Sequence, residues 1–272
     1  MSTKLGIIAG KGTLPEEVAR ACEAAGRSYY ILAIESETDP GLTVNRPHAW
    51  VRMAAVGKAL KLLRAEGIRE IVFAGGIERP SFTTLIPDMA GAKLMGRILS
   101  AHHGGGGDDA LLGVLVKFME DEGFTVTGAE QIAGNLLGAG GVLGKVQPTE
   151  ADRRDIALGL EVAHALGKMD VGQAVVVQQG MVLGVEAIEG TDALIARCAV
   201  LKRPGGGGVL VKAKKPQQDS RVDLPSLGPI TVEKAAAGGF AGIAFETGGT
   251  LLLQREEAVV LADRLGVFLY GA

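Results

Sequence analysis

The chain has little of what marks secreted, membrane-spanning or disulfide-stabilised proteins. Of its 272 residues only two are cysteines, Cys22 and Cys198, and they lie far apart. No signal peptide is recognisable before the first predicted strand, so we expect the reducing cytoplasm. Among the longest stretches without a charge, 131–144 and 171–185 run about 15 residues. Both fall short of the roughly 20 apolar residues that a membrane-spanning helix needs.

An excess of positive charge is also missing. The chain has 28 Lys and Arg against 31 Asp and Glu, a formal net charge of −3, and only 4% aromatic residues. Phosphate recognition must therefore be local, and we expect no nucleic-acid partner. Hydrophobic residues, in contrast, make up 47% of the sequence. That share can bury a substantial core, and the length suits two domains.

The first half alternates short apolar strands with helical patterns. Strands are predicted at 5–9, 29–34 and 70–74, and helices follow the first strand and cover 56–66. Strands separated by helices predict a parallel sheet that is covered on both faces. We therefore expect an α/β protein whose N-terminal domain, residues 1–133, is Rossmann-like.

Two glycine turns lie at the edge of this sheet where α/β proteins usually bind ligands. Their backbones can approach a ligand closely, and the predicted substrate contacts are Gly10, Lys11, Gly12, Thr13, Leu14, Gly75 and Gly76. The dinucleotide fingerprint is incomplete because Pro15 replaces its third glycine. Glu16 and Glu17 would repel a phosphate at the helix N-terminus. The first turn suits a neutral base or ribose, and a tight turn that simply needs glycine is the alternative.

A glycine-rich segment, GNLLGAGGVLGKVQP at 134–148, predicts an interdomain linker. Thr149-Glu150 then open a helix, and residues 149–272 are expected to form a mixed α/β C-terminal domain. Surface linkers are usually polar, whereas this one carries four large apolar residues. We expect a second apolar surface, such as a lipid chain or a subunit, to cover Leu136, Leu137, Val142 and Leu143.

The second half concentrates its acids after a predicted hairpin of strands 174–178 and 182–187. The segment VEAIEGTDALI, at 185–195, contains Glu186, Glu189 and Asp192. Thr191 or Asp192 can cap a helix predicted from Ala193, and Gly190 lets the backbone present its amides to an anion. Capping accounts for one of these residues but not for three acids.

Both signs of charge crowd into VKAKKPQQDSRVDLPSLG, at 211–228. Alternation along a strand at 209–213 places Lys212 and Lys214 on one face, and the same spacing recurs at Asp219, Arg221 and Asp223 in a predicted extended segment. Hydrolysis of a phosphoanhydride needs cations at the phosphoryl oxygens and carboxylates for Mg²⁺. A salt-bridged surface loop is the alternative.

Four segments together resemble the LpxI family of UDP-2,3-diacylglucosamine pyrophosphatases: LGIIAGKGTLP at 5–15, GDDALL at 107–112, GVEAIEGTDALI at 184–195 and GGVLVKAKKPQQDSRVDLPSLGPIT at 207–231. The resemblance extends over essentially the whole chain. It implies a cytoplasmic enzyme of lipid A synthesis, peripheral to the inner membrane of Gram-negative bacteria. With Mg²⁺, water would attack the α-phosphorus and yield lipid X and UMP. It also implies two domains, the second of unusual fold and catalytic, with the lipid product held between them.

The resemblance also implies roles for individual residues. The family's essential aspartate falls on Asp219 or Asp223, of which we favour Asp223. Lys212, Lys214 and Arg221 become phosphate contacts, and Gly190, Thr191 and Asp192 substrate contacts. The candidate metal ligands are Asp219, Asp223, Glu186 and Glu189. Asp108 and Asp109 match a family segment, but we favour capping of the helix that begins near Ala110 as their role.

Two alternative functions remain open at this stage. The glycine turn at Gly10 permits a nucleotide-sugar transferase or oxidoreductase, which would release no UMP from the diacyl sugar. A non-catalytic module that binds lipid or nucleotide would show no turnover even with Mg²⁺. A homodimer is compatible with the sequence as well.

Overall fold

The computed structural model describes residues 3–78, 86–103 and 108–272, and only the backbone of 102, 103 and 108–110. The carboxylates of Asp108 and Asp109, which match a family segment, therefore lie outside the described residues. The chain divides into two compact units. The first unit contains residues 1–134 and the short segment Asp219–Asp223, and the second contains Asn135–Gln218 and Leu224–Ala272.

The first unit alternates strands and helices as predicted. Its elements are β1 (Leu5–Ala9), α1 (Leu14–Ala24), β2 (Tyr29–Ile34), β3 (His48–Val51), α2 (Val56–Ala65), β4 (Glu70–Ala74), α3 (Met89–His103), α4 (Asp108–Asp121), β5 (Thr125–Thr127) and α5 (Ala129–Ile132). Short 3-10 turns cover Pro40–Thr43 and Gly134–Leu136. The three strands predicted in this half have the bounds that the apolar runs indicated.

The first sheet is parallel, with the strand order β3-β2-β1-β4-β5. Alternation along β1 places Leu5, Ile7 and Ala9 on one face, where they pack with α1 residues such as Val18. The other face packs against α2 and α4, and Leu63 is fully buried there. A fully buried leucine contributes about 1.5–3 kcal/mol relative to an exposed one. The predicted Rossmann-like parallel sheet is confirmed.

The second unit is built around a mixed sheet. Its elements are β6 (Gly141–Leu143), α6 (Glu150–Lys168), β7 (Ala174–Gln178), β8 (Met181–Val185), α7 (Gly190–Ala199), β9 (Val209–Lys212), β10 (Ser226–Leu227), α8 (Pro229–Ala237), β11 (Gly242–Phe245), β12 (Leu251–Leu252), α9 (Arg255–Leu265) and β13 (Phe268–Gly271). The sheet order is β6-β13-β11-β9-β7-β8, and β10 pairs separately with β12. The predicted mixed α/β architecture is confirmed.

Helices cover both faces of this second sheet. Ile156 and Ala163 of α6 pack on one face, against strand residues such as Val209 and Val211. Helices α7, α8 and α9 cover the other face, where Leu210 of β9 is buried. Neighbouring residues of β9 therefore face different helices, and this alternation sets the direction of Lys212.

The two predicted local features of the second half are present. Gln179 and Gly180 connect β7 to β8 with φ values of 54° and 74°, as a two-residue hairpin turn requires. Both of their amides donate to the buried carboxylate of Asp155, at 2.8 and 2.7 Å. Helix α6 begins with a capping box in which the side chains of Thr149 and Asp152 each bond the other's backbone amide.

The predicted linker contributes to the second unit. β6 pairs antiparallel with β13, so Val142 and Leu143 lie in the edge strand of the sheet. Leu136 is 2% exposed, Leu137 forms a bridge with Leu251, and Leu143 packs against the core. The sequence analysis assigned these side chains to a lipid chain or a subunit. That assignment is wrong for Leu143, because the apolar surface against which it packs belongs to its own unit.

Among the described residues, no helix is long and apolar enough to cross a membrane.

Candidate active site

Lys212 is a buried cation at the end of β9. Its side chain lies on the strand face opposite Val211, as the alternation predicted, and the residue is 5% exposed. Nζ donates to Oγ1 of Thr191 at 3.1 Å and to the backbone oxygen of Ser226 at 2.8 Å. Burial lowers the pKa of Lys212, and the negative charges of Glu186 and Asp192 act in the opposite direction.

Thr191 joins Lys212 to the buried carboxylate of Glu186. Its hydroxyl donates to Oε1 of Glu186 at 2.6 Å, while the same oxygen accepts from Lys212. The second carboxylate oxygen of Glu186 accepts from the amide of Gln173 at 3.2 Å. The result is a hydrogen-bond chain, Lys212 to Thr191 to Glu186, that ends on backbone.

The predicted capping role of Thr191 and Asp192 is wrong. Helix α7 begins at Gly190, with Glu189 at the N-cap position and no side-chain cap. The helix starts three residues earlier than predicted, which places Thr191 in the first turn rather than before it. Its hydroxyl is then engaged by Lys212 and Glu186.

Lys212 lines an open depression of about 330 Å³ in the second unit. The N-termini of α7 and α8 meet there, since the first turn of each helix contributes side chains. N-terminal helix turns present unsatisfied amides and a partial positive charge, which favour an anion. The lining residues are Glu189, Gly190, Thr191, Asp192, Lys212, Ser226 and Thr231.

Sequence reasoning missed Ser226 and Thr231. Ser226 contributes its backbone oxygen, and a pattern of side chains cannot predict such a contact. The sequence does contain a pattern from which Thr231 could have been predicted. Gly228-Pro229 is typical of a helix start and places Thr231 in the first turn of α8.

The acids at the rim of the depression are paired with cations. Glu189 accepts from Arg197 at 2.6 Å, and this hydrogen bond holds the pKa of the Glu189 carboxyl below its ordinary value. Asp192 accepts a hydrogen bond from Lys234. The carboxylates are therefore largely neutralised locally, and they oppose an incoming anion less than their number suggests.

The segment Asp219–Asp223 is a turn, so the predicted extended conformation is wrong. The backbone oxygen of Asp219 accepts from the amides of Val222 and Asp223, both at 3.1 Å. Its carboxylate accepts from the amide of Arg221 at 3.0 Å and from the guanidinium at 2.7 Å. Such local side-chain bonds compete with extended structure.

This segment belongs to the first unit, although it interrupts the sequence of the second. Val222 packs against the apolar cluster beside α4. Arg221 donates to Glu120 of the same helix at 2.7 Å. An apolar contact and an ion pair with described residues of the first unit thus help to hold the turn in place.

The two candidate aspartates differ in their partners. Asp219 is engaged by Arg221, whereas the half-buried carboxylate of Asp223 makes no hydrogen bond or ion pair with any described residue. An unengaged carboxylate can accept a water molecule or a metal ion without first losing a protein partner. This difference favours Asp223 over Asp219 as the reactive acid.

The four predicted metal ligands do not form one cluster in the described part of the chain, where no three Asp, Glu, His or Cys side chains could hold a metal ion together. Glu186 and Glu189 are each engaged by hydrogen-bond donors. Mg²⁺ is commonly held by one or two carboxylates together with substrate phosphates and waters. Asp223 has the donor chemistry for that kind of site.

Lys214 is not among the residues that line the depression. β9 ends at Lys212, so strand alternation no longer sets the direction of Lys214. Its amide donates to Glu246 at 2.8 Å. The structure therefore brings Lys212, Gly190, Thr191 and Asp192 together and leaves Lys214 outside this group.

The two glycine turns of the first unit contact each other. Lys11 and Gly76 exchange backbone hydrogen bonds of 2.7 and 3.1 Å. A Cβ atom on Gly10 would lie 2.3 Å from the backbone oxygen of Gly76, and one on Gly75 would lie 2.3 Å from that of Lys11. These two glycines are explained by the close approach of the turns. A Cβ on Gly76 would meet nothing within 4 Å.

The charge beside this turn is balanced by acids. Nζ of Lys11 lies 2.5 Å from Glu78 and 3.9 Å from Glu37. The hydrogen bond to Glu78 raises the pKa of Lys11. The turn thus offers no uncompensated positive charge to a phosphate, in keeping with the expectation of a neutral base or ribose.

Comparison with known proteins covers both units. The chain matches the family model of the LpxI N-terminal domain over residues 4–136 and that of the LpxI C-terminal domain over residues 139–270. It is 44% identical over 274 aligned positions to UDP-2,3-diacylglucosamine pyrophosphatase LpxI of Caulobacter vibrioides, covering 98% of this chain and 97% of that protein. The chain belongs to the LpxI family.

Proposed function

We propose that the chain hydrolyses the pyrophosphate of UDP-2,3-diacylglucosamine to lipid X and UMP in lipid A biosynthesis. The similarity to an LpxI named for this substrate supports the proposal, because it extends over nearly the whole of both proteins. The reaction adds one water, breaks one P–O–P linkage and leaves one phosphate on each product.

The observation that carries the proposal is the surroundings of Lys212. An ammonium group has three N–H donors, and two of them bond Thr191 and Ser226. Both acceptors are neutral oxygens, so no carboxylate of the described residues is bonded directly to the buried charge. A phosphoryl oxygen would supply the third acceptor and the opposite charge, beside two helix N-termini that also favour anions.

We propose that Asp223 binds the metal ion or positions the attacking water. With its carboxylate unengaged, it can hold Mg²⁺ or orient the attacking water. When bound, Mg²⁺ would neutralise negative charge on the phosphoryl oxygens. Lys212 holds a phosphoryl oxygen and stabilises the negative charge that grows on it during the displacement.

We propose attack at the α-phosphorus, and ¹⁸O-labelled water tests it together with the substrate and the bond that breaks. The purified protein is incubated with UDP-2,3-diacylglucosamine, with Mg²⁺ or with EDTA, and both products are analysed by mass spectrometry. Label in UMP supports attack at the α-phosphorus, whereas label in lipid X places the attack at the β-phosphorus. Absence of UMP in both conditions would favour a transferase, an oxidoreductase or a binding module.

The acyl chains of this substrate would place the enzyme at a membrane surface. We propose peripheral association with the cytoplasmic face of the inner membrane. Co-sedimentation with liposomes, with and without the diacyl substrate, tests this. Protein that stays in the supernatant under both conditions argues against it.

A further inference from the structure

Glu186 lies outside the depression but is hydrogen-bonded to Thr191, which lines it. It does not line the depression, and it is 6% exposed. Its two carboxylate oxygens accept from the Thr191 hydroxyl at 2.6 Å and from the Gln173 amide at 3.2 Å. Burial of a carboxylate is costly unless hydrogen bonds compensate it, so a role for its charge should be sought in what it bonds.

The direction of the Thr191 hydroxyl follows from Glu186. A hydroxyl has one hydrogen to donate, and the carboxylate takes it because an ionised carboxylate only accepts. The lone pairs of Oγ1 are then left for Lys212, whose Nζ lies 3.1 Å away. Without the carboxylate, the hydroxyl is free to rotate and its hydrogen can oppose the ammonium.

The orientation of the ammonium follows in turn. Two of its N–H bonds point to Thr191 and Ser226. Because the three N–H bonds of an ammonium are tetrahedrally arranged, two occupied directions determine the third. That third N–H is the one left for a ligand in the depression.

We propose that Thr191 and Glu186 are positioning residues that orient Lys212 for the phosphoryl oxygen of the substrate. This rests on the proposed function. The roles differ from sequence expectation, in which Thr191 capped a helix or touched substrate and Glu186 bound metal. Neither residue needs to touch substrate to affect the rate, because a small misorientation of a reacting group slows catalysis strongly.

A double-mutant cycle with Lys212→Met separates positioning from direct contact. Thr191→Val and Glu186→Gln should each lower kcat by roughly 10–100-fold and change KM by less than about threefold, because orientation matters most in the transition state. In the Lys212→Met background the same changes should cost less than about twofold, since the group that they orient is gone. Thr191→Ser keeps the hydroxyl and should stay within about threefold of wild type.

Thr231→Val is the matched control. Thr231 also lines the depression, but no hydrogen bond links it to Lys212 among the described residues. Whatever factor this substitution costs should be the same with and without Lys212→Met. If Thr191→Val also costs the same factor in both backgrounds, Thr191 acts on the substrate directly and the positioning role is overturned.

A spectroscopic measurement keeps the outcome separate from the proposed function. The ¹⁵N-labelled Lys212 ammonium, identified by its loss in Lys212→Met, should give an N–H signal protected by its two hydrogen bonds. We expect that signal in wild type and Thr191→Ser, and its loss in Thr191→Val and Glu186→Gln. An unchanged signal in both of the latter overturns the inference. Absence of UMP release by wild type, with the signals as expected, would overturn only the proposed function.

Discussion

Two lysines of the charged segment, Lys212 and Lys215, differ in how their charges are compensated. Lys215 forms an ion pair with Asp170 at 2.6 Å, so its charge is compensated within the protein. Lys212 is bonded to two neutral oxygens instead. A buried charge without a directly bonded counter-charge is costly, and at the edge of a depression a ligand anion can reduce that cost.

We expect Lys212→Gln to weaken substrate binding by about 1–3 kcal/mol, because a charge-assisted hydrogen bond is lost. Lys214→Gln is the matched control, since the sequence predicted the same role for it and the structure places it outside the lining residues. Titration calorimetry at low salt measures both. Equal losses for the two variants would restore the equivalent roles that the sequence predicted, and unchanged affinity in Lys212→Gln would remove Lys212 from the site.

Asp223→Ala should abolish turnover, by more than about a hundredfold in kcat, and leave substrate binding largely intact. A carboxylate that holds metal or water acts mainly in the transition state. Its lack of a partner among the described residues means that the fold should tolerate its removal. Steady-state kinetics and thermal unfolding measure the two effects, and a decrease of only a few-fold in kcat contradicts the assignment.

Asp219→Ala should behave differently. It removes the acceptor of the Arg221 amide and guanidinium, so we expect the turn to loosen and Tm to fall. If Asp219→Ala loses more activity than Asp223→Ala at an unchanged Tm, the reactive acid is Asp219.

At the scale of elements, the turns after β1 and β4 have two possible reasons for their glycines. Gly10 and Gly75 are required by the contact between the turns themselves. Gly76 has neither a positive φ nor a neighbour that a Cβ would meet. No described residue therefore requires glycine at this position, and the close approach of a substrate is the reason that the sequence analysis predicted.

Alanine substitutions separate these reasons. Gly10→Ala should destabilise the chain, since the new Cβ would lie 2.3 Å from the backbone oxygen of Gly76 and packed backbone cannot yield without strain. Gly76→Ala should leave Tm unchanged and raise KM several-fold. Thermal unfolding and steady-state kinetics measure these effects. An unchanged KM in Gly76→Ala would argue that the substrate does not approach this turn.

At the scale of the whole molecule, stability in acid depends on ion pairs that connect distant parts of the chain. Arg46 donates to Glu16 at 2.6 Å and to Glu23 at 2.9 Å. The hydrogen bonds from Arg46 are the main cause that holds the pKa of both carboxyls below the ordinary 4.5. Carboxyls with lowered pKa values in the folded state stabilise it above their unfolded pKa, and that stabilisation is lost as the pH falls through the lowered values.

Arg46→Met should therefore lower the free energy of unfolding at pH 7 by about 1 kcal/mol, a modest value because the carboxylates are partly exposed. The difference from wild type should shrink as the pH falls below 4.5, where both carboxyls become protonated. Urea unfolding at several pH values measures it. Arg20→Met is the control, since Glu16 is the one described residue that the Arg20 side chain bonds and that side chain is 70% exposed. A difference that stays constant down to pH 3 contradicts the linkage.

Local elements followed from the sequence because the interactions that specify them are local. The apolar runs of β1, β2 and β4 predicted their bounds, and Thr149-Glu150 predicted the start of α6. Gln179-Gly180 likewise predicted the hairpin. Within the site the same local reasoning placed Lys212 on the correct face of β9, because alternation of side chains along a strand needs no knowledge of the rest of the chain.

Only the tertiary structure decided which of these residues work together. Thr191 and Glu186 lie about twenty residues before Lys212 in sequence, and no periodicity links them. The turn at Asp219–Asp223 belongs to the first unit through Val222 and Arg221, which the sequence placed in an extended segment of the second. Its conformation engages the Asp219 carboxylate with Arg221, while no described residue bonds the carboxylate of Asp223. Strand and helix patterns report which face of an element is buried, whereas the partners of a buried polar group depend on contacts between elements far apart in the chain.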